Sequence, residues 1–123
     1  MSYWLFKSDP DTYGYDHLEK DKQTVWDGVA NPVAMRNLRA CKKGDSLFIY
    51  HTGDEKAIVG LAEIVKEGQT PEIKAKGRLK KPVTLAEVKA KKEFADFALV
   101  RQSRLSVMPV TDAQWNALLK MSD

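Results

Sequence analysis

The chain has 123 residues, a formal net charge of +3, 43% apolar and 30% charged side chains. These are ordinary values for one globular domain spanning residues 1–123, long enough to bury a core without disulfides or metal staples. A single cysteine, Cys41, excludes an internal disulfide, and the lack of a long apolar run excludes a membrane span or signal peptide, so a reducing, cytoplasmic setting is expected. The charge is unevenly spread: residues 1–30 hold six acids against three lysines, and residues 66–92 hold nine basic residues against three glutamates. That asymmetry suits an anionic partner as well as a merely solvated lysine-rich face.

Tyr3–Lys7 reads as an aromatic strand, ended by the turn chemistry of Ser8-Asp9-Pro10-Asp11. Tyr15–Lys20 follows as a short helix and Thr24–Trp26 as a brief extended piece. Asn31-Pro32 predicts a helix start, with Asn as N-cap and Pro at the first helical position. Val33, Leu38 and Cys41 are placed on its apolar side. Arg36, Arg39, Lys42 and Lys43 form its basic side and last turn, and Gly44 is its stop. Ser46–His51 and Ala57–Lys66 predict a hairpin, in which Gly60 marks a bulge or a close backbone approach. Glu72–Leu79 alternates as a half-exposed strand. Capping-box patterns at Thr84–Glu87 and Thr111–Gln114 open two helices, with a short helix over Glu93–Leu99 and a strand over Leu105–Val110 between them. The last helix places Trp115, Leu118 and Leu119 on one face against the sheet. Together these elements predict an α+β fold: a bent mixed sheet or pseudo-barrel of five or six strands with short helices around it.

No Cys/His spacing resembles a zinc site, and no phosphate-binding loop or dinucleotide fingerprint is present, so neither metal nor cofactor is expected. Cys41 reads as a buried, inert thiol. Asp27 and His51, with Lys7, are the residues from which a catalytic pair could be built if the fold joined them. Trp4 and Trp115 read as core residues. Trp26 differs, because it ends an extended piece just before Asp27-Gly28, where the chain must turn. A ring there can be a structural plug or a surface on which a planar base stacks, worth roughly 1–3 kcal/mol per base. Asn31 likewise can cap the helix or present its amide to a base edge.

The stretches YWLFKSDPDTYGYDHL, TVWDGVANPVAMRNLRACKKGDSLFIYHTGDEKAIVGLAEIV, KKPVTLAEVKA and ALVRQSRLSVMPVTDAQW resemble, in order and over nearly the whole chain, an EVE domain. The resemblance implies a PUA-like fold, related to YTH readers of methylated adenine and SRA readers of flipped methylcytosine. It implies a non-catalytic module that binds DNA or RNA and recognises a modified base, a methylated or oxidised cytosine or a methylated adenine, in an aromatic-lined pocket. Matched to the family's motifs, the ligand-binding residues are Lys7, Ser8, Trp26, Asp27, Gly28, Val29, Asn31, Arg36, Tyr50, His51, Arg104 and Ser106. The basic residues Arg39, Lys42, Lys43, Lys74, Lys76 and Arg78 are expected to hold phosphates. Many members are fused to restriction-type nucleases, so a separately encoded nuclease is an implied partner, with the chain itself a monomer or weak dimer. The chain departs from the common pattern at Ala30, where many members carry Arg, in the short 65–71 connection, and at Asp9, where Glu is usual. Two other readings stand beside this one: a sensor of free nucleobases or nucleosides, and a nuclease or amidohydrolase of the ASCH type.

Overall fold

The computed structural model describes residues 2–123. Six strands form one curled sheet: β1 (Tyr3–Ser8), β2 (Gln23–Val25), β3 (Ser46–His51), β4 (Ala57–Lys66), β5 (Glu72–Thr84) and β6 (Val107–Val110), in the order β2-β5-β4-β3-β1-β6. β1 runs parallel to β3, and every other neighbouring pair is antiparallel. β2 and β6 remain edges, so the barrel is half closed. Pro109 lies on the edge strand β6, where a missing N–H costs no ladder bond.

Six short helices surround the sheet: α1 (Pro10–Tyr13), α2 (Tyr15–Asp21), α3 (Pro32–Ala40), α4 (Leu85–Lys89), α5 (Ala98–Arg101) and α6 (Asp112–Met121). Their starts follow local chemistry. Asn31 Oδ1 accepts from the N–H groups of Val33 and Ala34, and the boxes Thr84/Glu87 and Thr111/Gln114 close reciprocally.

Some boundaries differ from the sequence-based expectation. The Ser8–Asp11 turn becomes α1, because the Asp9 side chain accepts from the Asp11 N–H and Pro10 fits the first position. α3 stops at Ala40, with Cys41 already extended, so Lys42 and Lys43 lie beyond its last turn rather than in it. The buried side of α3 is Ala34, Leu38 and Cys41, while Val33 is exposed. The Glu93–Leu99 segment splits into a 3-10 turn at Lys92–Phe94 and α5, with Phe94, Phe97 and Leu99 all buried. β5 runs on to Thr84, where it hands directly to the α4 capping box.

Two buried polar connections hold the frame. Asp45, 3% exposed, accepts from Trp4 Nε1 at 2.9 Å, the Lys42 N–H at 2.9 Å and the Ser2 N–H at 3.0 Å. Burial pushes this carboxyl upward, but the hydrogen bonds outweigh it and hold the group below the ordinary carboxylate range. At Gly60, both a close approach and a register shift occur. The Tyr15 ring covers this glycine so closely that an added Cβ would sit 2.5 Å from two ring carbons. The Tyr15 hydroxyl donates to the Leu61 carbonyl at 2.7 Å and accepts from the Gly77 N–H at 2.9 Å.

Gly60→Ala forces that ring away from its hydrogen bonds and is expected to cost about 1–3 kcal/mol, read by urea unfolding. The depressed Asp45 pKa stabilises the fold above its unfolded value of about 3.9, and that contribution is lost as pH falls through the lower folded value. Asp45→Asn should therefore be less stable at neutral pH and lose less stability on acidification, measured by thermal unfolding between pH 7 and 2. Burial, with Asp45 nearby, pushes the Cys41 thiol up to about 12. A disulfide reagent at pH 8 should leave Cys41 untouched in the native protein and label it in urea.

Candidate nucleic-acid interface

Trp26 leaves β2 and enters the turn over 27–31, which has no regular secondary structure. Its N–H donates to the Pro71 carbonyl at 2.8 Å. Phe6 packs against the ring at 5.5 Å between centroids, and Tyr13 meets it edge-on at 6.4 Å. Beside it opens a cleft of about 800 Å³. Lys7 and Ser8 from the end of β1, Tyr13 from α1, Ser106 before β6, and Asp27 to Ala30 from the turn form its walls. Val25, one of two large apolar side chains exposed among the described residues, also lines it.

Trp26 is only 9% exposed. The chain thus offers a strip of indole rather than an open face, with Phe6 and Tyr13 packed against it. Tyr13, which sequence reasoning did not select, supplies further aromatic surface. Its hydroxyl donates to Asp21 at 2.9 Å, and its ring stacks on His17 at 5.4 Å. The only sequence signal for it was a second aromatic within the segment after the first strand, and nothing local tells such a residue from core.

The polar groups of the cleft are of both signs. Lys7 is half-buried and has no carboxylate partner among the described residues; its Nζ donates to the Ser103 carbonyl at 2.9 Å and lies 5.7 Å from the Tyr50 ring centre. Burial lowers its pKa. The Ser8 hydroxyl donates to the Tyr13 carbonyl, which spends its proton on holding α1 but leaves its oxygen able to accept. Asp9 and Asp27 bring carboxylates to the same cleft, and Gly28, at φ +76°, turns the chain at its rim.

The remaining selected residues fall elsewhere. Asn31 and Arg104 line a second, smaller pocket of about 310 Å³ on the other side of the turn. Asn31 is a helix cap, so its carbonyl oxygen is occupied. Tyr50 is buried beneath Lys7, and Arg36 is exposed on α3. His51 belongs to a third pocket, with Tyr15 and Arg78. Its Nε2 accepts from the Tyr15 N–H at 2.9 Å, which places its proton on Nδ1, 2.7 Å from Glu55. His51 and Asp27 therefore line different pockets, and both His51 nitrogens are spent on structure; the fold does not join the pair. Among the described residues no group of three or more His, Cys, Asp and Glu side chains could hold a metal ion, and no helix is long and apolar enough to cross a membrane.

The cations expected to meet phosphates divide in the same way. Arg78 is paired with Asp16 and Glu19 and lies over Tyr15, so it braces α2. Lys76 pairs with Glu63 at 3.5 Å and Lys42 with Glu67 at 3.9 Å. Arg39, Lys43 and Lys74 are exposed, with no ion-pair partner for their side chains among the described residues.

Comparison with known proteins places this geometry in a family. A solved protein of Rhodopseudomonas palustris is 41% identical, with a TM-score of 0.93 over 99% of this chain and 93% of that one. The structure of human thymocyte nuclear protein 1 (THYN1) in complex with DNA containing 5-methylcytosine has a TM-score of 0.89 at 25% identity, covering 100% of this chain and 98% of that one. Against the full human protein, 41% identity extends over 78 residues, 54% of this chain and 35% of that protein, so the match spans about a third of the relative's length. An ASCH protein of Zymomonas mobilis, at 11% identity and a TM-score of 0.61, shares the fold alone. The EVE domain model matches residues 2–121, and with it the PUA-like architecture is explained: the chain belongs to the EVE domain family.

Proposed function

We propose that this chain is a non-catalytic reader of a modified base in DNA, taken into the cleft beside Trp26. The observation that carries the reading is the cleft itself, with indole and phenol on its walls and with donor and acceptor groups of both signs. A relative of the same fold, solved with 5-methylcytosine DNA, supports the choice of ligand class.

The chemistry of the walls favours cytosine. Carboxylates at Asp9 and Asp27 can accept from an exocyclic amine such as cytosine N4, and Lys7 can donate to a ring carbonyl. The strip of Trp26 and the Tyr13 ring take the base edge and its 5-substituent. Stacking over the whole indole requires a ring packed on it to move, and Tyr13, half-buried on the short α1, is freer to do so than Phe6, buried on β1. Extracting the base costs a few kcal/mol from a duplex and less from a single strand. A buried methyl group returns only about 0.8 kcal/mol, or about fourfold in affinity. Most of the affinity must therefore come from base and backbone contacts, and the methyl contributes the preference.

The test is a fluorescence titration with single strands carrying unmodified, 5-methyl- or 5-hydroxymethylcytosine, or N6-methyladenine. One modified strand should bind about fourfold or more tightly than its unmodified counterpart. Trp26→Ala should weaken binding by about 1–3 kcal/mol, roughly five- to 150-fold. Trp26→Phe keeps an aromatic ring against Phe6 and should recover part of the loss, which separates stacking from folding. Equal binding of all strands in the wild type would refute the reading; tighter binding of free nucleosides than of strands would replace it with a small-molecule sensor.

A further inference from the structure

The pocket across the turn from the Trp26 cleft has a different character. The other two pockets described carry carboxylates: Asp9 and Asp27 in the Trp26 cleft, Asp16 and Glu55 beside His51. The pocket between Asn31 and Leu105 carries none. Its walls present two guanidinium groups, Arg101 and Arg104, together with Gln102, Ser103 and Asn31. Arg101 makes one exposed contact with Asp96 at 3.6 Å, whereas Arg104 has no ion-pair partner among the described residues. The amide nitrogen of Asn31 has no acceptor there either, since only its oxygen is used by the cap. Donor-bearing side chains thus line one small space that no carboxylate lines, a donor set suited to an oxyanion.

The two pockets share a border. Ala30 lines one and the adjoining Asn31 the other, and Lys7 of the Trp26 cleft holds the carbonyl of Ser103, a wall of the second pocket. A nucleotide whose base enters the Trp26 cleft can reach this border with its backbone. The backbone N–H groups of Val33 and Ala34 at the start of α3 are already taken by Asn31, so side chains must hold the charge.

We propose that this pocket is the phosphate subsite of the same nucleotide, with Arg104 as its principal cation. The inference rests on the base-reading proposal above and adds a position to it. Asn31 and Arg104 then act on the backbone, not on the base edge, and Arg78 and Lys76 take no part, being spent on Asp16, Glu19 and Glu63.

The test uses the full chain and a single strand bearing one 5-methylcytosine, with a neutral methylphosphonate replacing the phosphate on its 5′ or its 3′ side. In the wild type, one of the two replacements should weaken binding by about tenfold, the size of a lost charge-assisted contact. In Arg104→Gln the phosphate strand should bind about tenfold more weakly, and the same replacement should then cost little more. The ratio of methylated to unmethylated binding should be unchanged in that variant. Arg104 is exposed, so the substitution leaves the core intact, and Lys120→Gln, on the exposed side of α6, serves as a charge-matched control that should not couple to either replacement. If both replacements weaken Arg104→Gln as much as the wild type, the subsite is overturned while the base reading stands. If the wild type shows no preference for the methylated strand, the base reading fails and the subsite built on it falls too.

Discussion

The cleft exists because Tyr15 lies over Gly60. A side chain at position 60 would occupy the space of the Tyr15 ring, so β4 must be bare at that point for α2 to approach. Once there, the phenol ties β4 to β5 through Leu61 and Gly77, and its backbone N–H is held by His51 on β3. Arg78 covers the ring from outside and pairs with Asp16 and Glu19 on α2. The segment before Tyr15 follows from this clamp: α1 hangs between the end of β1 and α2, and carries Tyr13 to the edge of Trp26. Removing the clamp would leave the wall of the cleft dependent on the Ser8–Tyr13 contact, the Asp9 cap and the contacts of the Tyr13 ring.

The same economy explains why residues grouped by motif end up in separate places. Tyr50 and His51 end β3, and Lys7 and Ser8 end the parallel strand beside it, in register. Lys7 and Ser8 line the cleft, whereas His51 faces α2 in the third pocket and both of its nitrogens are committed. A histidine held by an amide N–H and a carboxylate is a fixed connector. It is poorly placed to exchange protons with a substrate across the sheet.

Electrostatics divides the surface along similar lines. Most of the lysine-rich 66–92 region lies on or beyond β5, where Lys66, Lys76 and Lys81 meet Glu72, Glu63 and Glu87. Such exposed pairs contribute about 0–1 kcal/mol each. They do, however, lower the local positive potential that the linear sequence advertises. Arg101 at the end of α5 and Arg104 in the turn after it line a pocket that nothing acidic lines. Counting cations along a chain overlooks this, since their partners come from distant strands.

The features legible in the sequence were those set by short-range chemistry. The caps at Asn31, Thr84 and Thr111 satisfy donors within three residues, and the aromatic strands announce themselves by composition. The family, too, was readable, because its motifs run in order over the chain. The ends of α3 and β5 and the α1 turn were less legible, since tertiary contacts decide where a marginal helix stops. The partition of the candidate site was not legible at all. Tyr15 and His51 are 36 residues apart, Lys7 and Ser103 96 apart, and Asn37 reaches Val107 across 70. Sequence alone determined which residue types were available for a base and its phosphates. Only the fold decided which of them face a common cleft, because hydrogen bonds and burial between distant segments spend some side chains on structure and leave others free.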